Sequence, residues 1–198
     1  MQNTIKHYTA YITRKEYMEH FFAPKEFIVF CKSCNKYGKT WACPPFRYDP
    51  KEIMAQFQHV YLIASKVDLQ TQSLKDTEEK EEFYERIIKA IRAPLDQALL
   101  KFERDYPSSR VFYAGNCHLC PACTRLENIP CRYPEKMRAS LEAYGFDVSK
   151  TTSTLFGLEL DWGDKERLPK FLILVSGIMT NHKIEKGKLD LFLANNYK

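Results

Sequence analysis

The stretch Asp76-TEEKEEFYERIIKAIRAPLDQALLKFERD-Tyr106 places Phe83, Ile87, Ile91, Leu95 and Leu99 at intervals of four. That recurrence predicts a long helix with one apolar face. Glu78, Glu79, Glu81 and Glu82 crowd its first turns, where the helix dipole favours carboxylates. This charge run reads as a solvated face rather than a metal site. Pro94 falls inside the pattern and is expected to kink or split the helix, because its ring removes one backbone hydrogen bond. An apolar stripe of this length needs a partner layer, and the rest of the chain supplies candidates.

Three runs read as strands beside that helix. His59 to Leu69 is rich in Val, Ile and Tyr, Arg110 to Ala114 is short, and Lys170 to Met179 is almost wholly apolar. A fourth, Phe27 to Phe30, is expected to deliver the chain to Cys31 as a strand. Shorter helices are expected from Arg14, capped by Thr13 with Glu16 three residues on, and from Pro50, capped by Asp49. Pro134 to Tyr144 reads as a further helix, with Met137, Leu141 and Tyr144 on one face and Gly145 as its stop. The tail from Asn181 is polar and receives no assignment. The strands are too few and too unevenly spaced for a regular doubly wound sheet. The fold class expected is α+β: a small, mostly antiparallel sheet covered by the long helix, with cysteine-rich loops at one end. With no internal repeat, residues 1–198 are expected to form a single domain.

Several function classes are disfavoured. The opening MQNTIKHYTAYITRKEY lacks the apolar core of a signal peptide. The strongest apolar run, Phe171 to Met179, is too short to span a bilayer. A cytoplasmic location and no membrane partner are therefore expected. The net charge of +5 is mild and no basic stripe carries interleaved stacking aromatics, so no nucleic-acid partner is expected.

All seven cysteines fall in two clusters. Cys31, Cys34 and Cys43 form C-x2-C-x8-C inside the first loop (31–48), followed by Pro44 and Pro45. Cys117, Cys120, Cys123 and Cys131 form C-x2-C-x2-C-x7-C inside the second (115–133). Seven is odd, so a complete disulfide set is impossible, and in a reducing compartment grouped cysteines read as metal ligands. The C-x2-C-x2-C run lets three thiolates curl around one face of a cubane, as in bacterial ferredoxins. Cys131 is placed to supply the fourth, making this a closed [4Fe–4S]-type site. Zinc is the alternative, although it favours two well-separated C-x2-C knuckles.

The first set has only three cysteines. A non-cysteine ligand closing a zinc site, a second [4Fe–4S] cluster with one accessible iron, and a cysteine shared from the second loop all remain open. Arg125, Arg132, Lys136 and Arg138 outnumber Glu127 and Glu135 around the second set, a balance that suits an anionic cluster. Arg132, beside Cys131, and Trp41, inside the first loop, are the residues expected to border the cofactor. His118 lies between two ligands and is read as pointing away from them. His7, His20, His59 and His182 are read as structural or exposed.

The segment from Cys31 to Pro45, C-x2-C-x2-Tyr-Gly-Lys-x-Trp-x-Cys-Pro-Pro, is similar to the first signature of the bacterial and archaeal predicted metal-binding protein family, domain of unknown function 2284. Cys117-His-Leu-Cys-Pro-Ala-Cys, Pro-Cys131-Arg-Tyr-Pro-Glu-Lys and Arg138-Ala-Ser-Leu-Glu-Ala-Tyr-Gly-Phe-Asp-Val148 resemble its second. Ala139 departs from the family's usual proline. The resemblance implies that all seven cysteines are ligands. It also draws attention to Ser140, Glu142 and Tyr144 as a polar set beside the cluster, part of which spacing assigns to packing. The leading expectation is an iron–sulfur protein that transfers electrons to a redox partner protein or senses redox state. One alternative is a metalloenzyme using an open iron or zinc at Cys31, Cys34 and Cys43 on a small anionic substrate. A zinc-stapled structural module is the other. Whether the protein is an enzyme is left open, since no phosphate loop, nucleotide fingerprint or Ser/His/Asp arrangement is present.

Overall fold

Residues 5–69, 79–161 and 169–197 are described by a computed structural model. The backbone is organised around β2 (His59–Asp68), whose residues Val60 to Ala64 are buried without a break. A strand covered on both faces reads as a continuous apolar run rather than an alternation. Val60, Leu62 and Ala64 pack on one side with Tyr17, Phe21, Phe112, Phe146 and Met179. Tyr61 and Ile63 face the other way, against Leu95, Leu99 and Phe102, and Val67 meets Phe83, Ile87 and Ile91. Each fully buried Ile or Leu contributes about 2 kcal/mol of transfer free energy, so β2 is the hinge of both cores.

The sheet is antiparallel throughout, in the order β1-β2-β4-β3. The outer strand β1 (Ile5–Thr13) pairs with β2 from Ile5↔Val67 to Thr13↔His59. β4 (Phe171–Thr180) lies on the other side of β2, and the four-residue β3 (Ser109–Phe112) closes the far edge. α4 (Lys80–Asp105) packs Phe83, Ile87, Ile91, Leu95 and Leu99 among residues of the strands. It runs unbroken through Pro94; the expected start at 76–78 lies outside the described residues.

α1 (Arg14–Phe21) begins at Thr13, whose hydroxyl accepts from the Glu16 amide at 3.2 Å while the Glu16 carboxylate accepts from the Thr13 amide at 3.2 Å. This reciprocal cap is the one its sequence predicts. α3 (Pro50–Met54) likewise starts on the Asp49 cap.

Two expectations are corrected. Residues 27–30 are not a strand but part of α2 (Pro24–Ser33), begun by Pro24 at the favoured first position. The short apolar run is ambiguous between helix and strand, and here Val29 and Phe30 simply face solvent. Residues 134–144 are not one helix. A turn covers 134–136 and only Glu142–Tyr144 coil, as a 3₁₀ turn. The Tyr113 amide donates to the Ala139 carbonyl at 3.1 Å and the Tyr113 hydroxyl to the Lys136 carbonyl at 3.1 Å, which draws the segment out alongside the end of β3. β1, α5 (Val148–Phe156) and α6 (Lys188–Asn196) had no counterpart in the sequence reading.

Gly145 does stop its segment as expected, with φ +96°. Its carbonyl accepts from the Ala23 amide at 2.9 Å, and a Cβ there would lie 2.7 Å from the Pro24 Cα. This close approach seats the start of α2, and hence Cys31, against the Glu142–Tyr144 turn. Gly187 has φ +82° but open space around it. Gly145→Ala is therefore expected to destabilise by about 3 kcal/mol, against about 1 kcal/mol for Gly187→Ala. Chemical denaturation of the two variants checks this, and equal losses would refute the close-packing argument.

Candidate metal centre

Beyond β3 the chain turns into the second cysteine loop, and α4 fixes where that loop begins. Arg92, only 3% exposed, donates to the Asn116 carbonyl just ahead of Cys117 and pairs with Asp96 at 2.8 Å. After Cys123 a short 3₁₀ turn, Thr124–Glu127, reverses the chain. The Thr124 hydroxyl donates to the Pro130 carbonyl at 2.9 Å, and the Ile129 amide to the Thr124 carbonyl at 3.0 Å. These bonds return Cys131 to the other three cysteines. Arg132 reaches back to the Ala122 carbonyl at 3.0 Å, so this expected border residue braces the loop backbone.

Cys117, Cys120, Cys123 and Cys131 are free, half-buried, and line one cavity of about 350 Å³. Lys36, Lys39, Thr40 and Trp41 of the first loop form part of its wall. His118 is exposed and does not line it. Burial pushes the Cys117 thiol up, the Leu119 amide opposes that shift, and Cys131 and Cys123 add to it. Cys117, Cys123 and Cys131 thus feel one another's charge, and a bound metal would favour their thiolates.

The first set is built differently. Cys31 sits in the last turn of α2, and Cys34 caps that helix with its amide donating to the Cys31 carbonyl at 3.1 Å. Cys43 follows a turn closed by its own amide on the Thr40 carbonyl at 3.2 Å. Burial raises the Cys31 thiol most, followed by Cys43, Cys34 and then Glu142. Cys43 is likewise raised by burial, lowered by a Thr40 hydrogen bond, raised by Cys34, lowered by Arg125 and raised by Cys123. Cys43 therefore feels thiols of both sets. Among the described residues, no three His, Cys, Asp or Glu side chains are already grouped as a site for a single metal ion.

Arg125 joins the loops. Its guanidinium donates to the carbonyls of Thr40 and Cys43, both at 2.6 Å, and of Pro45 at 2.5 Å. It also lies 5.3 Å from the centre of the Trp41 ring, with Arg47 at 4.7 Å. The Trp41 indole donates to the Ile129 carbonyl at 3.1 Å. Trp41 thus borders the cavity and ties the loops together as well. The sequence reading counted Arg125 only as a nearby cation and gave Arg92 no role; the Arg92–Asp96 pair has i,i+4 spacing, but the contacts of both arginines with loop carbonyls have no local sequence signature.

Glu142, noted only through the resemblance, lies on the 3₁₀ turn packed against α2. Its Oε2 is buried and meets no hydrogen-bond donor. Burial raises its carboxyl, while its own amide, Ser140 and Arg92 oppose that shift in this order.

These features define a protein with two cysteine-rich loops on an α+β scaffold. Residues 18–179 match the profile of the family described as predicted metal-binding protein (DUF2284), and the chain belongs to that family. No curated protein and no solved structure matches it. Among the described residues, no helix is long and apolar enough to cross a membrane.

Arg125→Ala removes three charge-assisted bonds at once and is expected to destabilise by about 3 kcal/mol. Amide exchange should quicken at Gly38 and Cys43, whose acceptors, the Pro44 and Thr40 carbonyls, lie in the segment that Arg125 holds. Unchanged exchange there would show that the loops hold together without it.

Proposed function

We propose that the protein is an iron–sulfur protein of the cytoplasm that carries single electrons, with Cys117, Cys120, Cys123 and Cys131 holding a [4Fe–4S] cluster. Cys31, Cys34 and Cys43 hold a second metal centre. The observation that carries this reading is the shared cavity, about 350 Å³, lined by all four cysteines of the C-x2-C-x2-C-x7-C run. One zinc ion draws four thiolates to about 2.3 Å from a single point and fills much less space. A cubane binds each thiolate to a different iron and so spreads the four sulfurs around a larger body.

When bound, such a cluster supplies reversible one-electron chemistry. The chain's own part is to hold and tune it. Four thiolates concentrate negative charge, and Lys36 and Lys39 on the cavity wall, with Arg125 and Arg132 nearby, offset it. Nearby cations favour the reduced state, so they raise the potential. Trp41 and Leu126 cover part of the cavity with apolar surface and reduce water access. Leu126, Ile129 and Tyr133 are exposed on the same loop beside Arg132 and Lys136. That mixed apolar and basic rim suits an acidic redox partner docking close to the cluster.

Protein purified without oxygen is expected to be brown, to contain iron and acid-labile sulfide, and to bleach on reduction. Cys120→Ser should lose the greater part of the visible absorption, and chelation of the metal should open the 115–133 loop to proteolysis, because binding and folding are coupled there. Colourless protein with stoichiometric zinc and no sulfide would overturn the proposal.

A further inference from the structure

Three cysteines leave one coordination position without a thiolate at the first centre. The fold brings a fourth donor there from far along the chain. Cys31 and Glu142 line the same cavity, of about 270 Å³, together with Ile28, Pro44 and Tyr144. Pro44 directly follows Cys43, and the Cys31 thiol feels the charges of Cys43, Cys34 and Glu142 in turn. Glu142 is held there by the seat of α2 on the Glu142–Tyr144 turn, fixed by the Gly145–Pro24 contact and the Ala23–Gly145 hydrogen bond.

The carboxylate itself is unusual. Its Oε2 is buried with no donor. Arg92, the cation whose charge it feels, is committed to Asp96 and the Asn116 carbonyl. A buried carboxylate oxygen left this way costs stability unless a cation or metal meets it. Carboxylate oxygen is an established ligand type for zinc and iron, so the donor set of three thiolates and one carboxylate is chemically sound.

We infer that Glu142 is the fourth protein ligand of the metal centre held by Cys31, Cys34 and Cys43, closing it through Oε2. This rests on the proposal that the first set holds metal. It deepens that proposal by making the two centres chemically unequal, one bound by four thiolates and the other by three thiolates and a carboxylate. It also means that the first centre presents no free position to an outside substrate while Glu142 is bound.

The test uses the full chain purified anaerobically, with iron, zinc and sulfide counted per chain and electron paramagnetic resonance recorded on the reduced protein. Cys31→Ser asks whether the first set holds metal at all, and Glu142→Gln asks whether the carboxylate is a ligand. Expected results are that Cys31→Ser loses the first centre, and that Glu142→Gln lowers metal per chain or shifts that centre's resonance. Spectra of the second centre should persist in both.

A second readout separates a ligand from a merely structural group. In metal-free protein, Glu142→Gln replaces a buried carboxyl whose Oε2 meets no donor by a neutral isostere, and Tm should rise by about 3 °C. Glu142→Cys should restore metal binding at the first centre with an all-thiolate spectrum. Metal content and resonance unchanged in Glu142→Gln, when Cys31→Ser does lose metal, overturn the assignment of Glu142 alone. So does a fall in the metal-free Tm with metal retained, which would make the carboxylate a structural partner of Arg92. Metal content unchanged in Cys31→Ser overturns the first centre itself, and Glu142's role with it.

Discussion

The guanidinium of Arg125 is the contact on which the cysteine-rich half of the protein depends. Both loops are built mainly of turns and bends, with no strand pairing between them among the described residues. One planar cation holding three carbonyls of the opposite loop does what a strand ladder does elsewhere. Lysine has no equivalent, because a point charge on a flexible stem cannot satisfy three acceptors in a fixed fork. The same group places positive charge beside Cys43 and supports Trp41. Loop geometry, cavity wall and local potential are therefore one arrangement.

That arrangement stands on a rigid base. β2 and β4 are covered by helix on one side and by α1, α5 and residues 139–146 on the other. The aromatic group of Phe46, Tyr48, Tyr144 and Phe112 then carries this order into the first loop. Phe46 stacks on Tyr48 at 5.1 Å, Tyr48 and Tyr144 share a hydroxyl contact of 3.1 Å, and Tyr144 meets Phe112 edge-on at 5.1 Å. Arg92 does the equivalent work for the second loop from α4. Each cysteine loop is thus anchored to a different face of the sheet, and Arg125 joins them.

Electrostatics gives this joint its functional sense. The thiols of Cys31, Cys43 and Cys117 are raised chiefly by burial, with neighbouring thiols adding to the shift, a free-energy cost that bound metal would relieve. Buried polar groups such as the Glu142 carboxylate fit the same pattern, in which local stability is given up where a ligand is to be held. Cys43 also feels the charge of Cys123, so the two cysteine sets are linked electrostatically.

Much of this protein is legible in its sequence. The period of four from Phe83 to Leu99, the apolar runs of β2 and β4, and the Thr13 and Asp49 caps are local signals, and each determined its element. Cysteine spacing determined the candidate ligands, because metal chemistry demands particular donors at short range. Other elements lacked such a signal. α2 was ambiguous because four apolar residues fit a strand or a helix equally well, and Pro24 decided it. Residues 134–144 carry a helical pattern, but hydrogen bonds from Tyr113, more than twenty residues earlier, draw most of them straight. The meeting of the loops through Arg125, the tether from Arg92, and the delivery of Glu142 to Cys31 join residues 24 to 111 positions apart. Those contacts were decided only by tertiary structure, because spacing encodes which side chains share a turn and not which turns the folded sheet brings together.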